Sequence, residues 1–236
     1  MVRSNPNVTY TYNLPNNHLT TSSDGFSYSY DNNGNLTTKA TLISSLNFSY
    51  DFENRNTKVR ILPQPDSLVF KYSGLGSIIE KITKSGSVVD TTWYVYDGIY
   101  AVCEFSGSDS LKSSYVYANG LLLARTTPPV IIPGPNQYYH HDGLGSIVGM
   151  TDQFSNVSQT YLYDDFGVLI DSVGTVVNAY RYTGQEWDGG VSSLYNYRAR
   201  YYDATIARFN QEDQIFQVGF SVLGINRCLS TWKSAC

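Results

Sequence analysis

Apolar and polar residues alternate with a period of two over short stretches that end on an aromatic residue. Phe26-Ser27-Tyr28-Ser29-Tyr30, Leu46-Asn47-Phe48-Ser49-Tyr50 and Asn178-Ala179-Tyr180-Arg181-Tyr182 are examples. Successive side chains of a strand point to opposite faces, so each stretch predicts a β-strand with its aromatics on one side. The closing aromatics recur at Tyr12, Tyr30, Tyr50, Tyr72, Tyr96, Tyr117, Tyr163, Tyr182 and Tyr202, with His141 filling the slot between Tyr117 and Tyr163. Their intervals run from 18 to 24 residues and average about 21, the length of a stacked supersecondary unit. Turn-forming pairs follow several of these anchors, at Asn33-Gly34, Asp97-Gly98, Asn119-Gly120 and Asp142-Gly143, and such pairs tolerate the positive φ of a tight hairpin. Each unit then holds one hairpin of two strands of roughly 5–6 residues.

The predicted fold class is therefore all-β, with stacked antiparallel β-hairpin repeats forming a curled sheet or partial shell. A sheet of this kind must curl or continue to bury its aromatic face. Its first and last strands present unpaired backbone groups, which predicts self-association through open edges. Cross-strand tyrosine pairs contribute about 0.2–1 kcal/mol each, so stability is spread over many rungs and the interior can be hollow.

Composition narrows the function. The chain has 236 residues, 42% apolar and 15% charged, too apolar for a disordered polymer. It lacks an apolar run of about 18 residues, so no membrane span is expected. Sixteen basic against 20 acidic side chains provide no field for a polyphosphate, and nucleic acid is not an expected partner. Met1 to Tyr12 lacks the basic flank and apolar stretch of a secretory signal, so no signal peptide is expected in this chain. Cys103, Cys228 and Cys236 are scattered and form neither a disulfide framework nor a metal-spaced pair.

Candidate chemistry is sparse. His140 and His141 are adjacent and, in a strand, face opposite ways, so no metal site is expected there or at His18. Gly143-x-Gly145 lies in a turn with no helix after it, which removes the amide-lined end that a dinucleotide cofactor needs. No nucleophile-elbow sequence occurs, and neither a cofactor nor catalytic residues are expected. Tyrosine beside aspartate also suits a carbohydrate ring. The preferred account is that tyrosine packs with its hydroxyl wet while aspartate opens the turn.

Tyr30-Asp31-Asn32-Asn33-Gly34-Asn35-Leu36-Thr37 and Tyr50-Asp51-Phe52-Glu53-Asn54-Arg55 resemble the repeat unit of the rearrangement-hotspot (RHS), or tyrosine-aspartate (YD), family of bacterial polymorphic toxins, toxin-complex subunits and teneurins. Later stretches resemble that family's repeat-associated core. They are His141-Asp142-Gly143-Leu144-Gly145-Ser146, Tyr163-Asp164-Asp165-Phe166-Gly167, Tyr182-Thr183-Gly184-Gln185-Glu186-Trp187-Asp188, and the run from Leu194 to Asp203. The resemblance covers residues from about 8 to 215.

What it implies is a non-catalytic β-shell scaffold, secreted or at a cell surface. Such a shell encapsulates or presents a C-terminal toxin or effector, and its partners are that cargo or further YD repeats. One alternative is a cell-surface adhesion or carbohydrate-binding module; another is a self-cleaving aspartyl protease core. Family members that cut themselves carry two Asp-Pro-x-Gly motifs, and only Asp213, in Asp213-Gln214-Ile215-Phe216, stands at a matching position here. Two carboxylates are needed to share one proton, so no self-cleavage is expected. The organisation expected is a YD-repeat hairpin region over 1–126, a proline-rich linker or edge loop over 127–137, the repeat-associated core over 138–215, and an unassigned tail over 216–236.

Overall fold

The structure is a computed structural model and describes residues 8–14, 16–128, 136–189 and 192–212. Sixteen strands, β1 (Tyr10–Asn13) to β16 (Leu169–Gly174), lie in one antiparallel sheet in strict chain order. Four short strands, β17 (Glu186–Trp187), β18 (Tyr195–Tyr197), β19 (Arg200–Asp203) and β20 (Arg208–Phe209), form a second sheet. Sequential hairpins need no crossovers, so local turn chemistry is enough to set the topology.

Two kinds of turn stand out among those that close the hairpins at their anchored ends. In one, the aspartate after the anchor organises five residues. Asp31 Oδ1 accepts the amides of Asn33 and Asn35, both at 2.9 Å, and Asp51, Asp142 and Asp164 each accept the amides two and four residues on. The residue three past each aspartate is left-handed: Gly34 (φ 79°), Asn54 (58°), Gly145 (83°) and Gly167 (92°). In the other kind, Ala118 pairs with Leu121 and the two residues between them, Asn119 (φ 50°) and Gly120 (82°), are both left-handed. The pair Asp142-Gly143 belongs to the first kind. Its left-handed residue is Gly145, because the side chain of Asp142 extends the loop, and Gly143 keeps an ordinary backbone.

A β-bulge sits beside every anchor of the large sheet. Tyr30 pairs with Leu36 while Ser29 pairs with Thr38, and the same one-residue skip occurs at Tyr12, Tyr50, Tyr72, Tyr96, Tyr117, His141 and Tyr163. A bulge adds one residue to one strand and sharpens the local twist. It also changes which residues face inward. The buried positions of the return strands fall three apart, as in Leu36/Lys39, Asn56/Val59, Ala101/Glu104, Leu122/Arg125 and Ile147/Met150. The extra residue is often threonine, and its hydroxyl takes up a carbonyl of the partner strand: Thr37 to Ser29 at 3.0 Å, Thr57 to Ser49 at 3.1 Å.

The large sheet continues across the proline-rich stretch. Strands β12 (Leu121–Thr126) and β13 (Gln137–His141) pair directly, and Asn136 closes the loop base with bonds to Thr127 and Arg125. After β16 the chain leaves the sheet edge and turns back. Alternation predicts a strand over Asn178–Tyr182, but there is one isolated bridge, Tyr180 to Glu186, followed by a 3-10 turn at Tyr182–Gly184. The physical reason is that this segment crosses the inner face. Its backbone bonds to Ile147 and Trp187, and the Tyr180 ring stands edge-on to Tyr115 at 5.1 Å.

The second sheet covers the inner face. Leu194, Tyr201 and Ile206 join Leu19, Tyr28, Leu36, Phe48, Val59, Leu68, Phe70 and Ile78 in one buried cluster, with Tyr201 tilted against Phe70 at 5.2 Å. A second cluster gathers Tyr115, Leu122, Tyr139, Ile147, Met150, Tyr161 and Tyr180. Part of the inner face of this length of ribbon is thus covered by the chain's own C-terminal sheet. Replacing Gly145 by Ala is expected to cost about 1–2 kcal/mol, the strain of a left-handed L-residue. Gly143→Ala, at an ordinary φ with open space around it, should be near neutral in urea unfolding.

Candidate functional site: the seam between ribbon and cap

The anchors reach backward. Tyr50 donates to the carbonyl of Leu36 at 2.7 Å, Tyr72 to Asn56 at 2.7 Å and Tyr163 to Ile147 at 3.0 Å. Each acceptor is the first residue of the return strand one hairpin earlier. His141 does the same with its ring: Nε2 lies 2.7 Å from the carbonyl of Leu122, while Nδ1 faces Gly145 O at 3.1 Å. Burial pushes the Tyr50, Tyr72 and Tyr163 hydroxyls above the usual tyrosine range, so they remain protonated donors. His140, on the other face, contacts Thr151 Oγ1 at 3.0 Å.

Tyr12, Tyr30 and Tyr96 pack against the first cluster and Tyr117 against the second. Tyr182 and Tyr202 keep the sequence period but lie outside the large sheet. With Tyr195 they clamp one turn, their hydroxyls donating to three consecutive carbonyls: Tyr182 to Asp165 at 2.9 Å, Tyr202 to Phe166 at 3.0 Å and Tyr195 to Gly167 at 3.0 Å. The Tyr182 ring occupies the place a Cβ on Gly167 would need.

The cap is held by charges that period-two reading places outside. Lys39 pairs with Asp203 at 2.6 Å, both buried, and Asp203 also accepts from the Thr205 hydroxyl. Arg125 Nη1 donates to Val177 O at 2.7 Å and Tyr139 to Asn178 Oδ1 at 3.0 Å. At the centre, Lys81 on β8 (Ile78–Ser85) pairs with Glu186 and stands 3.9 Å from Asp188 Oδ1, while Tyr94 donates to Glu186 at 2.7 Å. Glu104, on β10 (Tyr100–Ser106), accepts from Tyr115 at 2.9 Å. The sequence signal for these inward charges is the spacing of three from a buried apolar residue, as in Leu36-x-x-Lys39.

Burial pushes the Asp188 carboxyl up from an ordinary 3.8 to about 7, with Lys81 only partly offsetting it, and burial raises Glu104 as well. Around the seam lie a cleft of about 750 Å³ between the turns at Phe52–Arg55 and Gly74–Ser77 and the cap residues Asn196–Arg200, and a cavity of about 390 Å³ beside Lys81, Arg181, Trp187 and Asp188. Asp213, the tail over 216–236, Cys228 and Cys236 lie outside the described residues; Cys103 is a half-buried free thiol.

A ribbon of back-anchored hairpins, covered on its inner face by its own C-terminal sheet, defines a YD-repeat shell. No family model matches the chain. It is 30% identical over 209 residues to the tRNA3(Ser)-specific nuclease WapA of Bacillus spizizenii, across 85% of this chain and 8% of that protein. It is 28% identical over 189 residues to salivary gland surface protein 1 of Aedes aegypti, across 73% of this chain and 5% of that protein. The Tc holotoxin pore of Photorhabdus luminescens, in a form with a TccC3 mutation, shares the fold with a TM-score of 0.61 at 16% identity, over 90% of this chain and 12% of that one. The chain belongs to the RHS/YD-repeat family and spans between 5% and 12% of the length of these relatives.

Two outcomes follow from the seam. Tyr50→Phe removes the donor to a carbonyl that no ladder bond reaches, so unfolding in urea should show a loss of about 1–3 kcal/mol. Asp188 holds its proton more tightly folded than unfolded, so its contribution is full at acid pH and is lost as pH rises through the range from 3.8 to about 7. Thermal melts should therefore fall over that range in the native protein, and fall less in Asp188→Asn.

Proposed function

We propose that this chain is a non-catalytic part of a β shell that encloses or presents a polypeptide following the repeat-associated core. The observation that carries this reading is the covering of the aromatic inner face by the cap, through the buried pair Lys39–Asp203 and the partly buried pair Lys81–Glu186. An inner face committed to the chain's own polypeptide serves containment rather than turnover of a diffusing substrate. The outer strands β1 and β16 each have one neighbour in the sheet, which suits pairing with further repeats or with a second copy. We read residues 1–126 and 138–215 as repeat region and core of one continuous ribbon, with 127–137 as an edge loop. The kinship with large nuclease and toxin-complex proteins supports a secreted or surface location. Among the described residues no helix is long and apolar enough to cross a membrane.

A second reading, a surface adhesion or carbohydrate-binding module, is favoured by the likeness to the Aedes aegypti surface protein. Protease protection separates the two. A cleavable reporter peptide joined after Cys236 should be cut much more slowly than the same peptide placed before Met1. Equal cleavage rates, together with saturable glycan binding, would replace the scaffold with the adhesion module.

A further inference from the structure

Acylation of an amine by a carboxyl group needs three conditions. The amine and the acyl carbon must be held in contact, water must be excluded, and a second protonatable group must carry protons between them. The centre of the seam holds the amine and the acyl group in contact, with little of either side chain exposed, and sets a second carboxyl beside them. Lys81 Nζ contacts Glu186 Oε1, with side chains only 14% and 11% exposed. Asp188 is the second carboxyl: its side chain is 1% exposed, and its Oδ1 lies 3.9 Å from the same nitrogen without a hydrogen-bond partner. Tyr94 donates to Glu186 Oε1 at 2.7 Å, which polarises that carboxyl, and the Tyr94 ring lies 5.7 Å from Nζ.

We infer that Lys81 and Glu186 condense into an intramolecular amide, a covalent isopeptide link between the ribbon and its cap, with Asp188 relaying the protons. The Lys81 nitrogen bonds to Cδ of Glu186 and one carbon–oxygen bond of that carboxyl breaks. The two protons that the ammonium gives up leave on the departing oxygen as water. No oxidant or further reactant enters, so atoms and charge balance within the ion pair. Effective molarities of about 10⁵ M or more for groups held in contact speed the condensation, and departure of the water draws it toward the amide. The link would join positions 105 residues apart.

Lys39–Asp203 is the internal comparison. It is more buried and also joins ribbon to cap, but the other Asp203 oxygen is taken by Thr205, whose hydroxyl lies at 2.6 Å and whose amide lies at 2.9 Å. A hydroxyl does not exchange protons with an amine near neutral pH as a carboxyl does, so this pair stays ionic.

Intact mass spectrometry of the purified full-length chain under denaturing conditions decides the matter. The expected result is a mass lower than the sequence mass by one water, and a tryptic digest with one branched peptide joining Lys81 to Glu186. Lys81→Arg and Asp188→Asn should both restore the full mass, with circular dichroism checking that the sheet still forms. A wild-type chain at its full sequence mass overturns the inference, whatever the variants do. A deficit that maps to another pair, or that survives in Lys81→Arg, overturns it equally, and one that survives in Asp188→Asn removes Asp188 from the relay.

Discussion

The structure depends on a carbonyl group that the sheet itself cannot satisfy. Each bulge turns the start of a return strand away from the next strand, so the following ladder begins late: β4 (Leu36–Ala40) pairs onward only from Thr38, and β6 (Asn56–Leu62) only from Lys58. That leaves the carbonyls of Leu36 and Asn56 without a backbone donor, a costly state for a buried peptide group. The tyrosine closing the next hairpin supplies the missing donor through its hydroxyl. Phenylalanine would fill the same space and leave the carbonyl bare. Histidine can serve at 141 because its ring also carries a donor atom that reaches Leu122. The sequence period is thus the spacing between a bulge and the ring that completes it.

The bulge has a second effect, on charge. In a regular strand Lys39, Glu104 and Arg125 would face outward, because each lies three residues from a buried neighbour. One inserted residue reverses the parity and brings all three inside. Charges cannot remain there unpaired, so the inner face requires a complementary surface. The cap supplies Asp203 and the Val177 carbonyl, while the ribbon's own Tyr115 serves Glu104. A local backbone irregularity therefore links hairpin stacking to recognition of the cap.

Much of the ribbon was legible because tyrosine spacing, alternation and aspartate-led turns are local signals. Fold class, hairpin order and the inward aromatic face all followed from them. The cap was not legible as a separate sheet. Tyr182 and Tyr202 continue the period and so read as further rungs, but they spend their hydroxyls on the turn at Asp165 and Phe166. Nothing in period-two reasoning marks Lys39, Lys81 or Arg125 as interior, since the rule that places them outside holds only for strands without bulges. Asp142-Gly143 read as a two-residue turn for a related reason: the dipeptide is right for one, and only the Asp142 side chain's bonds two and four residues on select the longer loop.

The seam also explains why a polar contact lies where an apolar one would be simpler. Burying an ion pair gains little, because lost hydration roughly offsets the attraction, whereas leaving one partner alone costs several kcal/mol. Apolar contacts such as Tyr201 on Phe70 therefore supply most of the attraction between cap and ribbon. The pair Lys39–Asp203 instead fixes the register, because a cap displaced by one residue would strand both buried charges. The three tyrosines on the β15–β16 turn, where β15 is Val157–Tyr163, set the far end of that register. A surface held at both ends and at its centre can close over the aromatic face in only one position.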